Sequence, residues 1–129
     1  MSFLASQLSD YPRVHTERAN LLIHIVAVPV FDLSWVAFVA AVAGRSPVAA
    51  LASVAVAAAA FAAEGRGHAT EPERPIPFAG PRDVVTRIFA EQFITFPRFV
   101  LSGGWLRAYR AASGGRPRPS GGLSDRSGR

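Results

Sequence analysis

The sequence LLIHIVAVPVFDLSWVAFVAAVA, residues 21–43, is an almost unbroken apolar run that decides the fold of this chain. A helix rises ~1.5 Å per residue, so the run reaches about 34 Å and can cross a hydrocarbon core of about 30 Å. The sequence GRSP at 44–47 predicts a tight turn with Pro47 placed to open a helix, and a second, Ala-rich apolar run follows at 48–63. The two runs predict a helical hairpin whose small side chains allow close packing.

The segments outside the hairpin are more polar. Residues 73–83, ERPIPFAGPRD, contain three prolines and a glycine and predict a loop. Residues 84–101 have apolar side chains at helical spacing but include two arginines, Glu91 and Gln92, which favours an interfacial or partly inserted helix. We therefore predict an all-α membrane protein: a hairpin of two transmembrane helices plus one or two amphipathic or partly inserted helices. Residues 1–112 would form this helical membrane domain, and residues 113–129 a disordered tail rich in Arg, Gly, Pro and Ser.

Composition agrees with a membrane protein and argues against a nucleic-acid partner. Half of the 129 residues are hydrophobic and only 18% are charged. The net charge is +5, but four arginines and one aspartate in residues 113–129 carry +3 of it and leave only +2 on the body. A basic nucleic-acid face is therefore not expected. The absence of cysteine excludes thiolate metal ligands and a cysteine nucleophile.

The arginines also predict an orientation. Only Arg45 lies at the tip of the hairpin, and the other thirteen arginines lie on the opposite side. The positive-inside rule then predicts an integral, multi-pass membrane protein with both termini in the cytoplasm. A soluble four-helix bundle is the alternative, because Asp32 and the Ala-rich second run make both spans marginal.

Three histidines, His15, His24 and His68, are the candidate metal ligands. His24 lies within the apolar run, where an ionisable group is costly and usually functional. His15 and His24 are nine residues apart and would lie on opposite faces of one straight helix. They can bind one ion only if the helix begins between them or bends. Two neutral imidazoles and one carboxylate on a common face are the set that non-haem Fe(II) oxygenases use, and Glu71 is the carboxylate that we predict beside the three histidines.

Two short strings of residues resemble a known family. They are Tyr11-x3-His15-x4-Asn20-x3-His24-x4-Pro29 before the hairpin, and Gly67-His68-x2-Glu71-x2-Arg74-Pro75-x2-Phe78 after it. This order is similar to that of the 2-hydroxy fatty acid dioxygenase-like family, over roughly residues 11–104. The chain departs from the family at Ala27, where glycine is usual, in a shorter interval from His68 to Glu71, and in having only three histidines.

The resemblance implies a small Fe(II)-dependent integral membrane dioxygenase of the fatty-acid α-oxidation type. Its substrate would be a 2-hydroxy fatty acid or similar acyl lipid, and its partners would be dioxygen and membrane lipid. His15, His24 and His68 would bind iron, and Glu71 would act in catalysis. Residues expected to contact the substrate or orient the ligands are Tyr11, Asn20, Glu64 and Arg74. The alternative is a non-catalytic membrane protein with structural histidines and a basic tail that contacts anionic lipid.

Overall fold

The computed structural model describes residues 2–113, and every regular element within that range is helical. The N-terminal segment contains α1 and one 3₁₀ turn, and the hairpin α2–α3 follows. A second group of helices, interrupted by a π-helical turn, completes the chain. The bounds are Phe3–Asp10 for α1, Tyr11–Val14 for the 3₁₀ turn, Arg18–Ala43 for α2, Pro47–His68 for α3, Pro81–Ala90 for α4, Glu91–Thr95 for the π turn, Phe96–Leu101 for α5 and Gly104–Ser113 for α6.

The predicted hairpin is confirmed, and it is longer at its open end than the apolar runs indicated. It extends from 18 to 68 rather than from 21 to 63. Arg45 at the turn has a left-handed φ of 56°. Ser46 caps α3 by accepting a hydrogen bond from the Ala49 amide, and Pro47 occupies the first turn, where its missing N–H costs nothing.

Both hairpin helices are long and apolar enough to cross a membrane. Their 26 and 22 residues correspond to about 39 Å and about 33 Å. Large apolar side chains lie on their outer faces: Val48 is 78% exposed, Leu51 71% and Leu33 67%. A water-soluble bundle would bury such side chains, so their exposure fits contact with lipid better than the soluble alternative.

The inner faces of the hairpin pack closely through small residues. Ala27 and Phe31 of α2 lie against Ala57 and Ala60 of α3 in one buried cluster. Alanines at such an interface allow two helix backbones to approach each other without any large side chain between them.

The third predicted helix, 84–101, is present but differs from the expectation in two respects. It begins at Pro81, so part of the predicted loop 73–83 is helical, because proline is tolerated in a first helical turn. It also contains the π turn, in which the Phe96 amide bonds to the Glu91 carbonyl five residues earlier. An extra residue per turn of this kind is frequently found at functional sites.

The last helix, α6, fixes the C-terminal group to the start of the hairpin. The Trp105 indole donates a hydrogen bond of 3.0 Å to the Leu21 carbonyl, and Arg18 donates one of 2.7 Å to the Tyr109 hydroxyl. Ser113, placed in the predicted tail, is the last residue of α6. The rest of the predicted disordered tail, residues 114–129, lies outside the described residues.

Candidate metal centre

Three histidine side chains and one carboxylate converge at the open end of the hairpin. The ligand atoms of His15, His24, His68 and Glu91 all lie within 4.8 Å of one another. The Glu91 Oε1 atom is 3.8 Å from Nε2 of His15, 3.9 Å from that of His24 and 3.8 Å from that of His68. This group could hold one metal ion.

The ring nitrogens of two of the histidines are oriented for metal binding by backbone hydrogen bonds. His15 Nδ1 lies 2.8 Å from the Tyr11 carbonyl oxygen, and His24 Nδ1 lies 3.0 Å from that of Asn20. A carbonyl only accepts, so Nδ1 carries the proton and the Nε2 of each neutral ring holds a free lone pair. Both Nε2 atoms are buried and find no hydrogen-bond partner among residues 2–113.

The spacing of these atoms fits a bound ion. Ligands about 2.1 Å from a tetrahedral ion are about 3.4 Å apart, and the distances to Glu91 exceed this by less than an ångström. Two buried imidazole nitrogens without partners would otherwise each lose a hydrogen bond on folding. The residues present therefore suit a metal ion chemically and geometrically.

The surroundings keep these rings out of water. His15 is 1% exposed and His24 is fully buried, while His68 is 18% exposed. The Tyr11 ring stacks on His15 with centroids 3.8 Å apart. Burial, followed by the nearby rings of His24 and His68, lowers the pKa of His15 well below its usual value. A lowered pKa keeps the imidazole neutral near pH 7, which is the form that binds metals.

A helix start brings His15 and His24 together. Helix α2 begins at Arg18, between the two histidines, so they do not lie on one straight helix. His15 itself has an irregular backbone with φ −132° and ψ 64°. The sequence required a helix start between the two histidines, or a bend, if they are to bind one ion, and the helix start is present.

Glu71 holds that helix start in place. Its carboxylate accepts hydrogen bonds from the Thr16 amide and hydroxyl, from the Glu17 amide at 3.0 Å and from Asn20 Nδ2 at 2.7 Å. An anionic group at a helix N-terminus satisfies free amides and is favoured by the helix dipole. Glu17 makes no side-chain cap of its own, so Glu71 caps α2 from the loop that follows α3.

The position of Glu71 bears on the role predicted for it. The carboxylate is buried and its oxygens are engaged by Thr16, Glu17 and Asn20, outside the group of four possible ligands. Its catalytic role stays a prediction, and the contacts support a positioning role.

Glu91 supplies the carboxylate that the sequence interpretation assigned to Glu71. In the sequence, Glu91 is distinguished only as a polar residue in an amphipathic helix. It opens the π turn, and its side chain is 25% exposed. The one signal for Glu91 in the sequence is its position as a charged residue in the middle of the amphipathic stretch 84–101.

The other predicted site residues lie at different distances from the centre. Asn20 is fully buried and donates to Glu71 and to the Val14 carbonyl. Glu64 is buried, but it accepts a hydrogen bond from Gln92 rather than orienting His68, whose Nδ1 has no partner within the described chain. Arg74 is exposed in the loop after α3.

Comparison with known proteins adds no relative. No family model matches this chain, and neither the curated proteins nor the solved structures compared with it include a match. The class of protein is therefore given by the fold and the site: an all-helical chain with two helices able to cross a membrane and a group of three histidines and a glutamate able to hold a metal ion. The resemblance to the dioxygenase-like family stays a prediction that rests on the two residue strings.

Proposed function

We propose that this protein is an integral membrane, Fe(II)-dependent dioxygenase that acts on a 2-hydroxy fatty acid or similar acyl lipid. The observation that carries the proposal is the convergence of three imidazoles on Glu91, with the Nε2 lone pairs of His15 and His24 directed by backbone hydrogen bonds. Structural histidines that merely satisfy one another would not need two buried nitrogens without a partner.

The donor set supports iron as the metal. Imidazole and carboxylate ligands suit Fe(II), and two histidines with one carboxylate are typical of non-haem iron oxygenases that leave positions open. Four protein ligands around a six-coordinate ion would leave two positions for substrate and dioxygen. When bound, the iron would supply the activation of dioxygen. The protein residues would hold the imidazole ligands neutral and exclude bulk water.

The proposed reaction balances without an added reductant. A 2-hydroxy acid and dioxygen would give an acid one carbon shorter, carbon dioxide and water. The bond between the carboxyl carbon and the hydroxylated carbon breaks, that second carbon is oxidised to the new carboxyl, and dioxygen is reduced.

The location of the histidines supports a lipid substrate. His24 lies about 30 Å along α2 from the turn at Arg45, at ~1.5 Å per residue, so the centre would lie near one membrane boundary while Arg45 lies near the other. We propose a multi-pass topology with both termini in the cytoplasm, supported by the distribution of arginines in the sequence, in which only Arg45 lies at the turn of the hairpin. An acyl chain in the bilayer could then present its polar end to the centre.

The test combines metal analysis with turnover. The full chain is purified in detergent, loaded anaerobically with Fe(II), and incubated with a 2-hydroxy fatty acid and oxygen. We expect about one iron per chain, oxygen uptake, and a fatty acid one carbon shorter. Iron binding without oxygen uptake or a shortened product would contradict the dioxygenase, and absence of any bound metal would favour the non-catalytic alternative.

A further inference from the structure

A large cleft lies between the N-terminal segment, the loop after α3, and the helices α5 and α6. Its volume is about 1010 Å³, at the upper end of the range for small-molecule sites. His15 and Thr95 both line it. The cleft therefore borders the candidate metal centre.

The lining of the cleft is mixed in character. Part of its wall is apolar and is formed by Leu8, Phe99 and Ala108. Two buried hydroxyls, those of Tyr11 and Thr95, also belong to its lining, and neither has a hydrogen-bond partner in the described part of the chain. Buried polar groups are normally satisfied, so a ligand with polar atoms near one end and an apolar remainder fits this cleft.

The charge on the cleft is positive, and within residues 2–113 one of its arginines has no partner. Four arginines and two glutamates line it: Arg13, Arg18, Arg98, Arg107, Glu17 and Glu73. Arg13 is engaged with Glu73 at 2.6 Å. Arg18 donates to the Tyr109 hydroxyl, and Arg107 donates to the Ser102 carbonyl. Over residues 2–113, the Arg98 guanidinium makes neither an ion pair nor a hydrogen bond.

We infer that this cleft binds the acid end of an acyl chain and that Arg98 recognises its carboxylate. A guanidinium donates two parallel hydrogen bonds to a carboxylate, which gives both affinity and orientation. The identity of the acyl chain as substrate rests on the proposed function, but the binding does not. Arg74, which the sequence placed among the residues expected to contact the substrate or orient the ligands, does not line this cleft.

The inference is tested by measuring binding and not turnover. The probe is a polyene fatty acid whose fluorescence rises when it leaves water, titrated into the full chain in detergent, with and without iron. The comparison ligand is its methyl ester, which keeps the chain and removes the negative charge. The variants are Arg98→Gln in the cleft and Arg82→Gln on α4, an exposed arginine outside it.

The expected result is a coupling between the carboxylate and Arg98. Arg98→Gln binds the acid about tenfold or more weakly, and Arg82→Gln binds it like the original chain. The original chain binds the ester about tenfold more weakly than the acid, and Arg98→Gln adds no further loss with the ester. Thr95→Val, which removes only the buried hydroxyl, also weakens binding of the acid.

Three outcomes would overturn the inference: unchanged acid affinity in Arg98→Gln, losses that simply add with the ester, or tighter binding of an anionic phospholipid than of the fatty acid. Loss of iron binding or turnover, with the coupling retained, would contradict the proposed function and leave this inference standing. Turnover without the coupling would contradict this inference and leave the proposed function standing.

Discussion

Asn20 and Glu71 are joined by a hydrogen bond of 2.7 Å across 51 positions of sequence. The Asn20 side chain also donates to the Val14 carbonyl, and the backbone carbonyl of Asn20 accepts from the His24 ring. One buried side chain thus links the segment before α2, the first turns of α2 and the loop after α3. The residues that position the ligands are therefore joined to one another by hydrogen bonds of their own.

We first predict that two glutamates have separable roles. Glu91→Gln should lose metal while the metal-free protein keeps its stability within about 1 kcal/mol, because the side chain is partly exposed. Glu71→Gln should destabilise the protein by about 1–3 kcal/mol, because an amide cannot accept all the hydrogen bonds made to the carboxylate. Metal content and thermal unfolding of the purified variants measure the two effects.

The pair provides its own control. Each variant removes one negative charge, so a general electrostatic effect would act on both alike. Equal loss of metal with no difference in unfolding would contradict the division between a ligand and a positioning residue.

The sequence predicted the hairpin because a long apolar run in lipid has to satisfy its backbone internally, and a helix does so. It also predicted that His15 and His24 would need a helix start between them, or a bend, to bind one ion. It did not predict Glu91 as a possible ligand, since regular helical spacing does not indicate the extra residue of a π turn. It missed the capping role of Glu71 because a hydrogen bond across 51 positions has no local signature.

A second prediction compares two glycines of α3. A Cβ added at Gly67 would collide with the Asn20 side chain, whereas one added at Gly65 meets nothing within 4 Å. Gly67→Ala should push α3 away from α2, cost about 1–3 kcal/mol and weaken metal binding, because His68 is the next residue. Competition with a fluorescent chelator measures the affinity.

The matched variant is Gly65→Ala, on the same helix two residues earlier. It should stabilise the helix by about 0.5–1 kcal/mol, since alanine restricts the unfolded chain more than glycine. Its metal affinity should be unchanged. A loss of affinity in Gly65→Ala as large as that in Gly67→Ala would remove the role assigned to the contact with Asn20.

A third prediction concerns Glu64, which accepts a hydrogen bond from Gln92, the neighbour of Glu91. Because this contact braces the π turn, Glu64→Ala, which removes the acceptor, should weaken metal binding by roughly 10–100-fold without abolishing it. The same chelator competition measures it. An affinity equal to that of the original chain would mean that the π turn holds Glu91 without help from α3.

A fourth prediction concerns the membrane. Exposed side chains such as Val48 and Leu51 on the hairpin should keep the protein in the membrane fraction during washes with alkaline carbonate or high salt. Immunoblotting of pellet and supernatant is the measurement. Release of the full chain without detergent would contradict the membrane hairpin and favour a soluble bundle.

The last prediction separates metal binding from membrane insertion. His24→Ala and His68→Ala should each abolish bound metal and turnover, because both rings face Glu91 at less than 4 Å. Insertion should be unaffected or improved, since replacing a polar ring in an apolar helix lowers its cost of transfer into lipid. Iron content, oxygen uptake and carbonate extraction are measured on the same preparations, with Arg82→Gln as a surface control that should change none of them. Full iron and full turnover in His68→Ala would show that the segment EGRGHATEPERP, residues 64–75, is only the end of α3 and the loop after it reaching water, and not part of a metal centre.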